Sequence, residues 1–243
     1  MSQTAPTTLD DVGAFAEREL RPKLSVLIPV YNEEESVREV LQRVARVDLN
    51  KEIIVVNDCS TDRTARILAE LENELTEVRV IHHQVNGGKG AAIRTALAAA
   101  TGDYVIIQDA DLEYEPEDFI VLLQPVLESQ ARVVYGVRDL SPHKPLMRWG
   151  NWFLTWLTNL FYGARLHDME TCYKLMAREI AQSFTLECNR FDIEPELTAK
   201  ILKRGHRIVE VPISYRPRFA NKKLSPLDGW PAVKALLKYR FVG

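Results

Sequence analysis

The sequence lacks the features of a disulfide scaffold or a structural zinc site. Its 243 residues contain three cysteines, Cys59, Cys172 and Cys188, at long spacings and without a CxxC pair. Disulfide frameworks show even numbers of closely spaced cysteines, and structural zinc sites show paired CxxC units. The sequence therefore predicts neither, and its cysteine usage fits a reducing compartment.

Long apolar runs are also missing. No stretch approaches the roughly 18 to 20 consecutive apolar residues that cross a bilayer, so no transmembrane helix is predicted. The first twenty residues include acidic side chains and lack the charged start and apolar run of a secretory signal. We therefore expect a cytoplasmic protein, with peripheral contact to the cytoplasmic membrane face as an open alternative.

Charge is distributed unevenly along the chain. Thirty-one basic and 34 acidic residues give a net charge of -3. Residues 200–243 hold eleven Lys or Arg against Glu210 and Asp228, a net +9, which leaves -12 for residues 1–199. Such a basic segment either contacts phosphates or anionic lipid head groups or forms a solvated surface. Nucleic acid is not an expected partner.

Apolar, β-branched runs alternate with segments of helical periodicity, which predicts βαβ units. The expected fold class is α/β, with a mostly parallel central sheet flanked by helices. Three further helices are predicted in the later part of the chain: an aromatic-rich helix over 146–163, a helix over 194–206 and a short basic helix over 231–241. Strands are predicted at 24–30, 52–58, 78–83, 103–109, 131–137 and 207–215.

Acidic residues follow the second and fourth predicted strands. Ligands of open parallel sheets bind beyond the carboxyl ends of the strands, which directs attention to Asp58, Asp109 and Asp111. The carboxylates of Asp109 and Asp111 repel each other unless a cation lies beside them. Mg²⁺ or Mn²⁺, shared with substrate phosphate oxygens, suits such a pair, and Glu113 is within reach of the same ion. A solvated acidic loop is the alternative.

Two further features at this edge of the sheet have more than one interpretation. Asp58 is placed either to accept hydrogen bonds from a base or ribose or to cap a helix. The turn that contains Lys89 and Gly90 has the backbone freedom and the cation to approach phosphates, or is a simple glycine turn before a helix. It is not a P-loop, because Gly90 stands where that motif requires Ser or Thr.

Taken together, the motifs resemble the family 2 glycosyltransferases, and within them the dolichyl-phosphate mannose and glucose synthases. The resemblance covers about residues 22 to 240 and rests on ordered segments of the chain. It implies a GT-A nucleotide-diphospho-sugar fold over 22–215, an N-terminal extension over 1–21 and a basic loop with a short helix over 216–243. The segments are LSVLIPVYNEEES, EIIVVNDCSTDRT, NGGKGAAIRTALAAATGDYVIIQDADLEYEP, GVR and DMETCYKL.

The resemblance also implies roles for single residues. Asp109 lies near the sugar and the metal, Asp111 is the principal metal ligand, and Glu113 stands where the synthases commonly have Gln. Arg138 receives the acceptor phosphate, and catalysis is expected from Asp109, Asp111 and Arg138. Contacts to the nucleotide-sugar are expected from Pro29, Tyr31, Glu33, Asp58, Lys89, Gly90 and Asp109. Additional acceptor-phosphate contacts are expected from the basic loop, at Arg216, Arg218, Lys222 and Lys223.

The leading hypothesis is inverting transfer of a hexose from GDP-mannose or a UDP-sugar to a polyprenyl phosphate. A phosphate monoester, with a second pKa of about 6, is ionised without a general base. A saccharide or lipid hydroxyl acceptor, the alternative, would need a carboxylate base, for which Asp168 and Glu170 are the candidates. Nucleotidyl transfer is disfavoured because residues 31–34, YNEE, follow the first strand where a glycine-rich basic loop is expected.

The aromatic-rich segment over 146–163 has two interpretations. Its large side chains recur at helical spacing and form one broad apolar face. Such a face either packs in the core or lies at a membrane interface, where tryptophan is favoured. The residues are Trp149, Trp152, Phe153, Trp156, Leu157, Leu160 and Phe161.

Overall fold

The computed structural model describes residues 22–218 and 229–242. The predicted N-terminal extension over 1–21 lies outside the described residues, as do Lys222 and Lys223 of the predicted basic loop.

A seven-stranded sheet forms the centre of the fold, in the order β3-β2-β1-β4-β6-β5-β7. Only β6 runs antiparallel to its neighbours among these strands, so the predicted mostly parallel sheet is confirmed. β6 was not predicted, because a buried run of four residues carries no usable periodicity. The strands are β1 (Leu24–Val30), β2 (Lys51–Asn57), β3 (Val78–His82), β4 (Tyr104–Ile107), β5 (Val133–Arg138), β6 (Lys174–Ala177) and β7 (Val209–Ile213).

Eight α-helices are present in the described part of the chain, together with a 3-10 turn at Pro116–Asp118. The predicted aromatic-rich helix is confirmed as α5, one residue earlier than expected. The helices are α1 (Val37–Arg46), α2 (Thr64–Glu74), α3 (Lys89–Ala99), α4 (Phe119–Leu127), α5 (Pro145–Tyr162), α6 (Arg178–Gln182), α7 (Ile193–Lys203) and α8 (Gly229–Phe241).

The main core lies against the parallel strands. β1, β2 and β4 are buried almost throughout, as expected for parallel strands covered on both faces. Helix α1 shows how the sequence encodes this packing: its buried side chains recur at spacings of three and four residues, which places them on one face. They are Val37, Val40, Leu41 and Val44.

A smaller apolar cluster joins α5 to α8. Its buried members from these helices are Leu154 and Leu157 of α5 and Ala232 and Leu236 of α8, and Leu166 and Met169 join them from the segment that follows α5. This cluster supports α5 beside the end of β5. Across residues 22–218 and 229–242, no helix combines the length and apolar character needed to span a membrane.

Candidate active site

A cavity of about 860 Å³ opens at the carboxyl ends of the parallel strands. It brings together most of the residues that the sequence singled out. Among the described residues, Gly90, Arg216 and the candidate base Asp168 are predicted site residues that do not line it. The predicted residues that do are Pro29, Tyr31, Glu33, Asp58, Lys89, Asp109, Asp111, Glu113, Arg138 and Arg218.

The loop that carries the two central aspartates is fixed at each end. The Gln108 side chain donates to the carbonyl oxygen of Asp109 at 2.8 Å and accepts from Tyr173 at 2.6 Å. The Ser36 hydroxyl donates to the Ala110 carbonyl at 2.6 Å. Leu112 has a φ of 62°, a left-handed backbone conformation that is uncommon for a residue other than glycine. These restraints fix the backbone from which Asp109 and Asp111 extend.

Asp109 is paired with a lysine. The Lys89 ammonium lies 2.8 Å from Asp109 Oδ1 and 3.1 Å from Glu194 Oε1. Burial alone would raise the pKa of Asp109, but the Lys89 charge and hydrogen bond outweigh it and lower that pKa. Asp109 is therefore ionised at neutral pH, with a cation already beside it.

Asp111 has no such cation among its hydrogen-bond and ion-pair partners in the described residues. Burial, with the charges of Asp109 and Glu113, raises the pKa of Asp111 to about 7. Its Oδ1 accepts the Glu113 amide N–H at 3.2 Å. Within the described ranges, no group of three or more His, Cys, Asp or Glu is arranged to hold a metal ion. Two neighbouring carboxylates that form no closed cage fit Mg²⁺ or Mn²⁺ completed by phosphate oxygens.

Glu113 anchors a neighbouring segment. Its Oε2 accepts the Tyr215 hydroxyl at 2.7 Å, and its Oε1 accepts the Arg218 amide N–H at 2.6 Å. Both oxygens thus have a protein donor, which makes Glu113 a weaker candidate metal ligand than Asp111. The contacts fix residues 215–218 beside the acidic end of the cavity.

Asp58 fixes the glycine turn before α3. Its carboxylate accepts the amide N–H groups of Gly87 at 2.8 Å and Gly88 at 2.7 Å, and Oδ1 lies 2.7 Å from His83 Nδ1. Three polar groups therefore surround the carboxylate of Asp58, a residue that is only 2% exposed. The predicted contact between Asp58 and the base stays a prediction, and the structure adds a role in positioning Lys89.

Gly90 does not line the cavity, contrary to the role expected for it. Its amide N–H donates to the Asn189 carbonyl at 2.8 Å, and an added Cβ would overlap the carbonyl oxygen of Cys188. Gly90 is thus required for close packing of α3 against residues 188–189. Its amide already has a partner there and is not placed to bind a phosphate.

Arg218 and Arg216 occupy different places. Arg218 lines the cavity and contacts both carboxylate oxygens of Glu33, at 3.1 and 3.3 Å. Arg216 is exposed, with Nε 3.3 Å from Glu115 Oε1, and it does not line the cavity. The expected acceptor contact of Arg216 is therefore not supported by its position, because its side chain lies outside the cavity.

Arg138 forms a two-point ion pair with Asp168 beyond the end of β5. Its Nε lies 2.7 Å from Oδ2 and its Nη2 lies 2.8 Å from Oδ1. The Tyr215 ring lies 5.2 Å from the guanidinium. Burial alone would raise the pKa of Asp168, but the Arg138 charge outweighs it and lowers that pKa. A carboxylate with a low pKa is a poor general base, which disfavours Asp168 in that role.

Glu170 differs from Asp168. It lines the cavity, and its Oε1 is buried without a hydrogen-bond partner in the part of the chain that the structure describes. Burial is the largest cause that raises the pKa of Glu170 to about 7. Both residues are candidate bases in the sequence. Their different surroundings in the structure favour Glu170 over Asp168 as a general base.

Two buried charged residues in or beside the cavity were not predicted from the sequence. Glu194 lines the cavity in the first turn of α7, and its Oε2 lies 2.6 Å from the Lys174 ammonium. Lys174 is completely buried and also donates to the Thr171 carbonyl. In the sequence, Glu194 looks like an ordinary first-turn acid of a helix, so no signal distinguished it.

The chain is similar in sequence to known proteins. Residues 25–184 match the family described as Glycosyl transferase family 2. A dolichyl-phosphate hexose transferase of Haloferax volcanii is 30% identical over 221 residues, which cover 88% of this chain and 92% of that protein. The low-salt glycan biosynthesis hexosyltransferase Agl6 of the same organism is 29% identical over 94% of this chain. This chain spans 56% of the length of Agl6.

The fold is also that of a solved glycosyltransferase. Glucosyl-3-phosphoglycerate synthase from Mycobacterium tuberculosis, in complex with Mn²⁺, UDP-glucose and phosphoglyceric acid, superimposes with a TM-score of 0.73. The sequences are 20% identical, and the match covers 100% of this chain and 87% of that one. The predicted GT-A fold is thereby confirmed. The family match over residues 25–184 and the relative at 30% identity show that the chain belongs to glycosyl transferase family 2.

Proposed function

We propose that this protein transfers a hexose from a nucleotide-diphospho-sugar to a polyprenyl phosphate, with inversion at the anomeric carbon. The observation that carries the proposal is the combination of charged and apolar residues in one cavity. Acidic residues and Arg138 lie within it, while Leu146, Trp149 and Trp230 also line it and are 65%, 59% and 64% exposed. An acceptor with an ionic head and an apolar chain matches such a cavity.

The donor diphosphate is assigned to the acidic end. Asp109 and Asp111 would hold a divalent cation, Mg²⁺ or Mn²⁺, which supplies charge stabilisation for the departing nucleoside diphosphate. Pro29 lies in β1 and Tyr31 follows directly after it, and both residues line the cavity. They are the proposed contacts of the nucleotide. The metal complex of the structural neighbour supports the choice of ion class.

The acceptor phosphate is assigned to Arg138. Within the guanidinium, Asp168 and Asn151 contact Nε and Nη2, and the Nη1 donors form no hydrogen bond within the described residues. The ion pair fixes the orientation of the guanidinium without consuming all of its donors. Because a phosphate monoester is already ionised near neutral pH, the site needs to orient this nucleophile rather than deprotonate it.

Peripheral contact with the cytoplasmic membrane face is part of the proposal. Trp149, Trp152, Trp156 and Leu160 recur on one side of α5 and are between 46% and 60% exposed. We call these four residues the aromatic face. The opposite side of α5 packs in the smaller apolar cluster through Leu154 and Leu157. Packing accounts for that side of the helix, and the membrane interface is the proposed role of the aromatic face. Exposed tryptophans favour the head-group region of a bilayer, where a lipid acceptor is found.

The direct test is transfer of radiolabelled sugar from a panel of GDP- and UDP-sugars to a short polyprenyl phosphate, with Mg²⁺ or Mn²⁺. Wild type is compared with Asp111→Ala. Organic-extractable, metal-dependent product that the variant fails to form would support the proposal and name the donor. Donor binding that depends on Asp111 without any lipid product would reject the polyprenyl acceptor.

A second candidate function is supported by Glu170. A cavity-lining carboxyl group with a pKa raised to about 7 is suited to deprotonate a saccharide or lipid hydroxyl. Glu170→Gln separates the two functions. Transfer to a hydroxyl would fall by a factor of about 100 to 10,000 without its base, whereas transfer to a phosphate would persist.

A further inference from the structure

A row of alternating charges extends from the proposed metal site into the protein interior. Asp109, Lys89, Glu194 and Lys174 follow one another at 2.8, 3.1 and 2.6 Å, and we call them the charge row. Lys89 lies between two carboxylates. One of them, Asp109, is also a proposed metal ligand.

The backbone of Lys89 cannot move far. Asp58 accepts hydrogen bonds from the two preceding amide groups, and Gly90 is packed against the carbonyl of Cys188. The ammonium can therefore change partners only by side-chain rotation. Within the described residues, Asp109 and Glu194 are its ion-pair partners.

Glu194 is a fixed anchor for that ammonium. Its Oε2 is held by Lys174, which is completely buried and lies 5.0 Å from the centre of the Tyr135 ring. Among residues 22–218 and 229–242, its Oε1 has no hydrogen-bond partner, and it lies 3.1 Å from the Lys89 ammonium. The Glu194 carboxylate can thus retain Lys89 when Asp109 turns to another cation.

From this geometry, we infer that Lys89 is an internal counter-ion that competes with the metal for Asp109 and moves to Glu194 when the metal binds. The inference rests on the proposed metal site and goes beyond it by assigning positioning roles to Lys89 and Glu194. Two like charges a few ångströms apart in a partly buried site repel strongly. The metal ion and the Lys89 ammonium therefore weaken each other's binding to Asp109. A donor diphosphate offers Lys89 new oxygens, which makes metal and donor binding mutually favourable.

Binding of Mn²⁺ to the full chain, followed by loss of the free-ion electron paramagnetic resonance signal, tests this exchange. Measurements are made with Mn²⁺ alone and with UDP or GDP added. Lys89→Met is expected to bind Mn²⁺ alone about tenfold more tightly than wild type, because the competing charge is gone. Glu194→Gln is expected to bind it about tenfold more weakly, because Lys89 loses its second partner.

The double variant Lys89→Met/Glu194→Gln gives the deciding comparison, since coupling in a double-mutant cycle isolates the interaction between two residues. If Lys89 mediates the effect of Glu194, Glu194→Gln weakens Mn²⁺ binding only while Lys89 is present. Lys23→Met, which removes a lysine paired with Glu52 elsewhere, is the control for net charge and leaves affinity unchanged.

Three results would overturn the inference. The first is a Mn²⁺ affinity of Lys89→Met that is equal to or weaker than that of wild type. The second is an equal effect of Glu194→Gln on Mn²⁺ affinity with Lys89 present and with Lys89 replaced by Met. The third is no Mn²⁺ binding by either wild type or Lys89→Met. The measurement is independent of the acceptor. A protein that binds Mn²⁺ as expected but makes no lipid product would support the charge exchange and reject only the polyprenyl acceptor.

Discussion

Asp168 contacts Arg138 through both carboxylate oxygens, at 2.7 and 2.8 Å, and thereby fixes the plane of the guanidinium at the edge of the cavity. Arg138→Lys keeps the charge but loses the two-point geometry. We expect the KM for the polyprenyl phosphate to rise at least about tenfold, while the KM for the nucleotide-sugar changes little. Steady-state kinetics with each substrate varied separately would measure this, and equal effects on both KM values would contradict the assignment.

Asp111 is expected to make metal binding depend on pH. Its pKa is raised to about 7, so the carboxylate is lost to protonation as the pH falls below that value. The Mn²⁺ affinity should fall by about tenfold per pH unit below 7, because a ligand must be deprotonated to bind. Asp111→Asn should bind Mn²⁺ weakly at every pH, whereas Asp48→Asn, at an exposed position, should behave as wild type. A pH-independent affinity between pH 5 and 7 in wild type would refute a ligand role for Asp111.

Glu170 should destabilise the folded protein at alkaline pH. Its pKa is raised from 4.5 to about 7, so the folded state binds a proton more tightly than the unfolded state does. This contribution to stability is greatest below pH 4.5 and is lost as the pH rises to about 7. Glu170→Gln should therefore raise the free energy of unfolding at pH 8 by about 1–3 kcal/mol and have little effect at pH 4.5. Denaturant unfolding at both pH values tests this, and equal effects at both would count against it.

The aromatic face is expected to contribute to membrane binding. Replacing Trp152 and Trp156 by Ser should lower co-sedimentation with phosphatidylglycerol vesicles at least about tenfold, because tryptophan favours the lipid interface. Ile120→Ser is the matched control, since Ile120 is also about half exposed but belongs to α4. Vesicle binding that is equally weakened by both changes, or by neither, would exclude a specific role for α5.

Two glycines should respond in opposite ways to alanine. A Cβ on Gly90 would overlap the Cys188 carbonyl, so Gly90→Ala should lower the free energy of unfolding by about 1–3 kcal/mol. Gly150 lies inside α5 with nothing within 4 Å of an added Cβ. Gly150→Ala should be neutral or stabilising by up to about 1 kcal/mol, because alanine favours helix. Thermal unfolding of both variants compares them, and similar losses would show that packing at residue 188 is not the cause.

The sequence was sufficient for the parts of the fold that have a clear periodicity. β1 begins and ends at the predicted residues, and the apolar runs of β2 and β3 end within one residue of expectation. β4 is shorter than predicted, because residues 108 and 109 leave the ladder to form the site loop. β6 escaped prediction because its residues are all buried and too few to show a period.

The candidate site was predictable where acidic residues follow a parallel strand, as for Asp109 and Asp111, which line the cavity. It was not predictable where a long-range contact decides the role. Gly90 looks like a phosphate-binding glycine until residues 188–189 are seen against it. Glu194 is 85 positions away from Asp109 in the chain, and nothing in its local sequence indicates that Lys89 connects them.

The reversed strand β6 has a consequence for biosynthesis. It fills the place between β4 and β5, and its pairs, such as Val105 with Met176, join distant parts of the chain. Until residues 174–177 have left the ribosome, β4 presents an open, apolar edge that another nascent chain can pair with. Long-range pairings of this kind also form slowly. The last strand inserted into the centre of the sheet is thus the one that protects the growing chain from aggregation.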